Sequence, residues 1–252
     1  MVALDAVLEK FDASKEKVRK EIKEGFFHHD GSFRLSELEL RSWIADRAVD
    51  ELQVVLQLSA VISRSAQLIP AHILVPVTEQ MSDEARHFDI LRSLVPAELH
   101  AQIDAKVAAL PSALAANAHW ASLLEAVDAG NPYGALLNIN IVHEGYSAAA
   151  IEELRNIPFD DIREAYAGIG ADEEKHHESG RDLLLWLIAR DNAAATAMAD
   201  AHQRADGEGA AMSWSWPSPA PVASPLEVIA TAHERAGEGT AMSWSWPTPS
   251  GS

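Results

Sequence analysis

The sequence predicts an all-α protein: a four-helix bundle with extra short helices beside it and a C-terminal segment outside it. Three observations carry this. Strand-like alternation of apolar and polar residues is absent from the first ~205 residues. Ala, Leu and Glu dominate there and favour helix. Four long striped stretches form two closely linked pairs with a longer connection between them, the plan of a bundle with one crossover.

In chain order, residues 3–26 form an amphipathic first helix. Ser36 and Glu39 make a Ser-x-x-Glu capping box that opens the first long helix, which runs to about Leu68. Pro70 marks the turn, and the second long helix runs to about Leu94 with Pro76 placed to kink its start. Residues 97–129 read as shorter connecting helices interrupted at Pro111. Asn131-Pro132 puts proline at the first position of the third long helix, which runs to about Asn156. Pro158 opens the fourth, to about Arg190, and a short Ala-rich helix follows to Ala205. The helical domain is therefore residues 1–205, with core helices over about 36–190.

Residues 206–252 form a separate region. A stretch that starts at the end of the helical domain is duplicated here. Ala201-His202-Gln203-Arg204-Ala205 returns as Ala232-His233-Glu234-Arg235-Ala236. Met212-Ser213-Trp214-Ser215-Trp216-Pro217 returns as Met242-Ser243-Trp244-Ser245-Trp246-Pro247. The Pro-rich Ser218–Pro225 lies between the copies. Such composition builds no core of its own, so a disordered tail is expected.

Composition excludes several classes of function. The net charge of −18 argues against nucleic-acid binding, which needs clustered Lys and Arg. The one basic stretch, Lys15 to Lys23, reads as a solvated helix face. With no cysteine, the chain has no disulfide, thiolate metal site, iron–sulfur cluster or cysteine nucleophile. No run reaches the roughly 18–20 apolar residues of a membrane span. Met1 to Lys10 is amphipathic and of mixed charge, unlike a signal peptide, so a cytoplasmic protein is expected.

Two strings carry the chemistry: Asp83-Glu84-Ala85-Arg86-His87 and Asp172-Glu173-Glu174-Lys175-His176. Each contains Glu-x-x-His, which puts a carboxylate and an imidazole on one helical face, in reach of one metal. Each lies in the second helix of its pair and follows a single glutamate in the first. Glu51 precedes Glu84 by 33 positions and Glu144 precedes Glu173 by 29, so the chain returns to the same bundle height. Glu51 shares its face with Ile44, Ala48, Val55 and Leu58. Glu144 shares its face with Leu137, Ile141, Ala148 and Ile151, with Asn140 as the polar exception. A carboxylate inside an apolar stripe is costly unless it is paired or bound to metal. Four Glu and two His suit iron or manganese. Glu174 and His177 also read Glu-x-x-His, but the alignment of Asp83 with Asp172 favours Glu173 and His176. His28, His29, His72, His100, His119 and His143 have no comparable partners and are expected at the surface or satisfied in the core.

With these residues in place, the chain resembles the ferritin-like di-iron carboxylate superfamily over roughly residues 36–190. Asp-Glu-Ala-Arg-His is similar to the Asp-Glu-x-Arg-His motif of its bacterial multicomponent monooxygenase branch, and Lys175 departs from it where Arg is frequent. The resemblance implies a metal site of Glu51, Glu84 and His87 for one iron and Glu144, Glu173 and His176 for the other, with some glutamates bridging. It implies that Asp172 holds His87 and Asp83 holds His176. The cofactor implied is two Fe ions, and Mn or a mixed Mn/Fe pair fits the same ligands. Rubrerythrin-like proteins are disfavoured by the missing cysteine. Radical-generating ribonucleotide reductase subunits are disfavoured by Leu91, where they carry tyrosine. Tyr146 and Tyr166, near the metal glutamates, are expected to pack. The helix lengths and ligand spacings also resemble small stand-alone members such as aldehyde-deformylating oxygenases.

The function expected from the resemblance is a di-iron oxidase or monooxygenase, an oxidoreductase that uses dioxygen on an organic substrate. Its partners would be dioxygen and an external electron donor or reductase, since no flavin motif is present. No nucleic acid and no membrane span are expected, and a homodimer is admitted. The alternative is a ferritin-like iron-oxidising protein whose tail docks it to a partner or a nanocompartment shell. Trp214, Trp216, Trp244 and Trp246 are expected to serve as a docking peptide for a partner groove, as the enzyme's own substrate, or as part of a passive tail.

Overall fold

The structure, a computed structural model, describes the backbone of residues 4–207 and the side chains of Glu9 and residues 15–190. Among the described residues all the regular structure is helical, and one isolated bridge joins Phe27 to Phe33. Helix α1 spans Leu4–Phe26, α2 Glu37–Ser65, α3 Ala71–Ser93, α4 Ala97–Ala116 and α5 Ala118–Asp128. Helix α6 (Tyr133–Leu137) continues through a π-helical segment, Asn138–His143, into α7 (Glu144–Leu154), and α8 spans Asp160–Gly207. Among the described residues no helix is long and apolar enough to cross a membrane.

The expected capping box is present. Ser36 N donates to Glu39 Oε2 at 2.7 Å, and Glu39 N donates to Ser36 Oγ at 3.3 Å. The two reciprocal bonds satisfy donors that the first turn of α2 would otherwise leave open. A turn at Pro70 then lays α3 along α2, and α7 lies along α8. Helix α3 also packs on α8, which joins the two pairs into a bundle. Helix α1 crosses α7 and α8, and α4 and α5 cover α2. Of the predicted stripes, Ile44, Ala48 and Leu58 of α2 and Leu137, Ile141 and Ile151 of the third long helix are buried, while Val55 and Ala148 are only half-buried and Val54 takes the buried place beside Val55.

Three features differ from expectation. Helix α4 passes through Pro111 rather than breaking there. Pro111 is exposed, so water can partner the backbone group that loses its bond, and the flanking alanines favour helix. Helix α8 continues past Arg190 to Gly207 with no break. Residues 191–205 contain no Gly or Pro to stop it. The third long helix carries the π segment, whose extra residue per turn re-aims whatever follows it. Glu144 is that next residue.

Candidate metal centre

Four helices deliver one ligand candidate or pair each to the same height. Glu51 comes from α2, Glu84 and His87 from α3, Glu144 from the start of α7, and Glu173 and His176 from α8. Ligand atoms of Glu51, Glu84, His87 and Glu173 lie within 4.8 Å of one another, and so do those of Glu84, Glu144, Glu173 and His176. Glu84 and Glu173 belong to both groups. The cluster is thus a pair of adjoining positions with two shared carboxylates, and Glu51 and Glu144 are terminal at opposite ends. All six residues are buried, with Glu51 the most accessible at 9% and Glu84 at 0%.

Both imidazoles turn Nδ1 inward. His87 Nδ1 lies 3.4 Å from Glu173 Oε1, 3.5 Å from Glu84 Oε2 and 3.9 Å from Glu51 Oε2. His176 Nδ1 lies 3.2 Å from Glu84 Oε1, 3.7 Å from Glu173 Oε2 and 3.9 Å from Glu144 Oε2. Both Nε2 atoms face the aspartate of the opposite motif, Asp172 at 3.4 Å from His87 and Asp83 at 3.3 Å from His176. Arg86 bridges the two aspartates, with 2.7 Å to each. Lys175, which departs from the usual Arg, still binds Asp172 at 2.7 Å.

Burial, and then the charges of Glu84 and Glu173, push the Glu51 carboxyl well above its usual range. Burial and the same two neighbours do so for Glu144. Burial also opposes ionisation of Glu84, but contacts with His176 and His87 prevail and hold it low. His87 rises to about 9 because Glu173 and Glu84 outweigh the opposing effect of burial. His176 is raised likewise, by Glu144 first. Even so, Glu84 Oε2, both carboxylate oxygens of Glu173, and Nδ1 of His87 and His176 are buried without a hydrogen-bond partner. Such atoms are expensive unless something inside the cluster takes their lone pairs. Two divalent cations would do that, and their four positive charges would match four carboxylates. The buried Glu and His groups could therefore hold metal ions.

The structure also resolves the register. Glu173 and His176 face the cluster, while Glu174 is exposed and His177 lies 2.7 Å from Lys15 Nζ. His100 Nε2 lies 3.1 Å from Val95 O and His119 Nε2 lies 3.1 Å from Asn138 Oδ1, while His28 and His29 are exposed. His143 differs: it is buried beside the cluster, and burial lowers its pKa. Tyr146 and Tyr166 are buried, and the Tyr166 hydroxyl has no hydrogen-bond partner. Trp214, Trp216, Trp244 and Trp246 lie outside the described residues.

Sequence reasoning missed Gln80. It is 1% exposed, and its Nε2 donates to Glu144 Oε1 at 2.6 Å and to Glu84 Oε1 at 3.3 Å. Asn140 Nδ2 donates in turn to Gln80 Oε1. The signal was present in the spacing: Gln80 is four residues before Glu84 and Asn140 four before Glu144, each on its ligand's face. No family model, curated protein or solved structure matches the chain, so its residues and geometry carry the reading.

Proposed function

We propose that the protein is a dinuclear iron oxidoreductase that uses dioxygen to oxidise an organic substrate. The observation that supports this best is the pair of overlapping, buried Glu/His groups with unpartnered ligand atoms at their centre. In this reading Glu51, Glu84 and His87 serve one ion, and Glu144, Glu173 and His176 the other, with Glu84 and Glu173 shared. Two ferrous ions held this way supply electrons to dioxygen and so the oxidising power for the substrate.

The chain's own residues do the rest. Asp172 and Asp83 face the outer nitrogens of His87 and His176, which fixes each ring so that Nδ1 carries a lone pair inward. Burial works against ionisation of Asp172, but Lys175, His87 and Arg86 outweigh it and hold its carboxyl at about 2. The apolar stripe of Ile44, Ala48 and Leu58 excludes water from the Glu51 side. Metal loading would require His87, His176 and the terminal carboxylates to be deprotonated.

The test is metal analysis of the native protein, followed by oxygen uptake after anaerobic ferrous loading, with and without a reductant. About two ions per chain, and oxygen uptake that needs reductant and yields an oxidised organic product, support the oxygenase reading. Ferric iron formed with neither reductant nor organic product points instead to iron oxidation. Native protein free of bound metal, and unable to take any up, would sink both.

A further inference from the structure

The two ends of the centre are not supported alike. Helices α3 and α8 play equivalent parts, each bringing Glu-x-x-His. Four residues before Glu84 on α3 stands Gln80, and four residues before Glu173 on α8 stands Ile169. Both are 1% exposed, so both are packed inside at the same distance from the ligand layer. Gln80 has an amide that reaches across to the terminal carboxylate of the other pair, 2.6 Å from Glu144 Oε1, and touches the shared Glu84 at 3.3 Å. Ile169 has only an alkyl chain, so Glu51 receives no such donor from the equivalent place.

The Gln80 oxygen accepts from Asn140 Nδ2, which leaves its nitrogen toward Glu144 and Glu84. The backbone of Asn140 is closely held. It lies in the π segment, and α8 approaches it so closely at Gly180 that an added Cβ would sit 2.8 Å from Asn140 O. Glu144 is 1% exposed at this end, whereas Glu51 is 9% exposed at the other.

We infer that Gln80 makes the two metal positions unequal, fixing Glu144, which belongs to one position alone, so that the position of Glu84, Glu144, Glu173 and His176 holds its divalent cation more tightly and fills first. This rests on the dinuclear reading above. A terminal carboxylate already held in place loses less freedom on binding, and hydrogen-bonding partners of ligands carry a large share of metal affinity.

The experiment uses full-length protein stripped with a chelator. Mn2+ is added stepwise, and the free ion is counted by its electron paramagnetic resonance signal. The expected result is two steps, one tight and one weaker. Gln80→Met keeps the length of the side chain and removes the donor, and it should weaken the tight step by about 10- to 100-fold while leaving the weaker one in place. Glu51→Ala should retain the tight ion, and Glu144→Ala should retain only the weak one, so the result does not hang on one variant folding. Equal affinities in the parent protein would overturn the inference. So would an unchanged tight step in Gln80→Met protein of native helix content, or retention of the tight ion by Glu144→Ala. A parent protein that binds no Mn2+ at all overturns the dinuclear reading together with it, which is a distinct result.

Discussion

Glu51 is a buried carboxylate whose neighbours are mostly other carboxylates. Metal-free, burial and the charges of Glu84 and Glu173 push its carboxyl well above the usual range, an electrostatic strain. Leucine in its place removes that strain. Glu51→Leu should therefore raise the melting temperature of metal-free protein and lower its metal content, and a fall in both would contradict the strain. His87 gives a second handle, by pH. Its pKa rises from 6.5 to about 9 in the folded, metal-free chain, against the opposing effect of burial. Its contribution to stability is thus fully present below about 6.5 and is lost as pH climbs through 9. Metal-free protein should melt progressively lower between those limits. Metal-loaded protein should show less of this loss, since its imidazoles are already neutral; parallel melting curves for the two forms would speak against ligation by His87. Glu84, His87, Glu173 and His176 were legible because Asp-Glu-x-x-His occurs twice, and Glu51 and Glu144 because a carboxylate inside an apolar stripe stands out. Gln80 was missed although it lies four residues before Glu84, because a lone glutamine reads as surface and its other partners, Asn140 and Glu144, lie 60 and 64 residues away.

At the scale of elements, local signals carried the helices and tertiary contacts carried the exceptions. The capping box, the turn at Pro70 and the proline at the start of the third helix are short-range chemistry, and the structure has the helices where they fall. The π segment is not short-range. Nothing in the spacing of Asn138–His143 marks an extra residue per turn. What accompanies it is the close approach of α8 at Gly180 and the hydrogen bond from Asn140 to Gln80. Gly180→Ala tests that contact. Its methyl would meet backbone atoms at 2.8–2.9 Å, which cannot swing aside. The cost of such overpacking is about 1–3 kcal/mol. Because the push falls on the segment that aims Glu144, metal affinity should drop along with stability. Ser36→Ala supplies the contrast. It should cost about 0.5–2 kcal/mol of stability through the lost cap and leave metal content unchanged. Loss of metal in the Ser36 variant, measured at a temperature where it is folded, would show that the centre reports general loosening rather than local aim.

At the scale of the whole molecule, the length of α8 decides what the tail can reach. His176 and Gly207 are 31 residues apart on one helix, about 46 Å along its axis. Trp214 follows Gly207 by seven residues, which is about 25 Å of fully extended chain. Trp214 therefore falls about 20 Å short of its own chain's centre, and Trp216 about 14 Å short, whatever path the chain takes. Trp244 follows Gly207 by 37 residues, up to about 130 Å, and can return with ease. The two copies of the repeat are alike in sequence but unlike in reach. If the tail is the substrate, dilute iron-loaded protein given reductant and dioxygen should gain oxygen at Trp244 and Trp246 first. Trp214 and Trp216 should follow only at concentrations where a second copy can serve them. Peptide mass spectrometry across a dilution series reads this directly. Prior oxidation of Trp214 in dilute protein would mean that α8 opens before Gly207 or that the reaction runs only between chains. A tail unchanged at every concentration would leave its four tryptophans to a partner, and the centre to an external substrate.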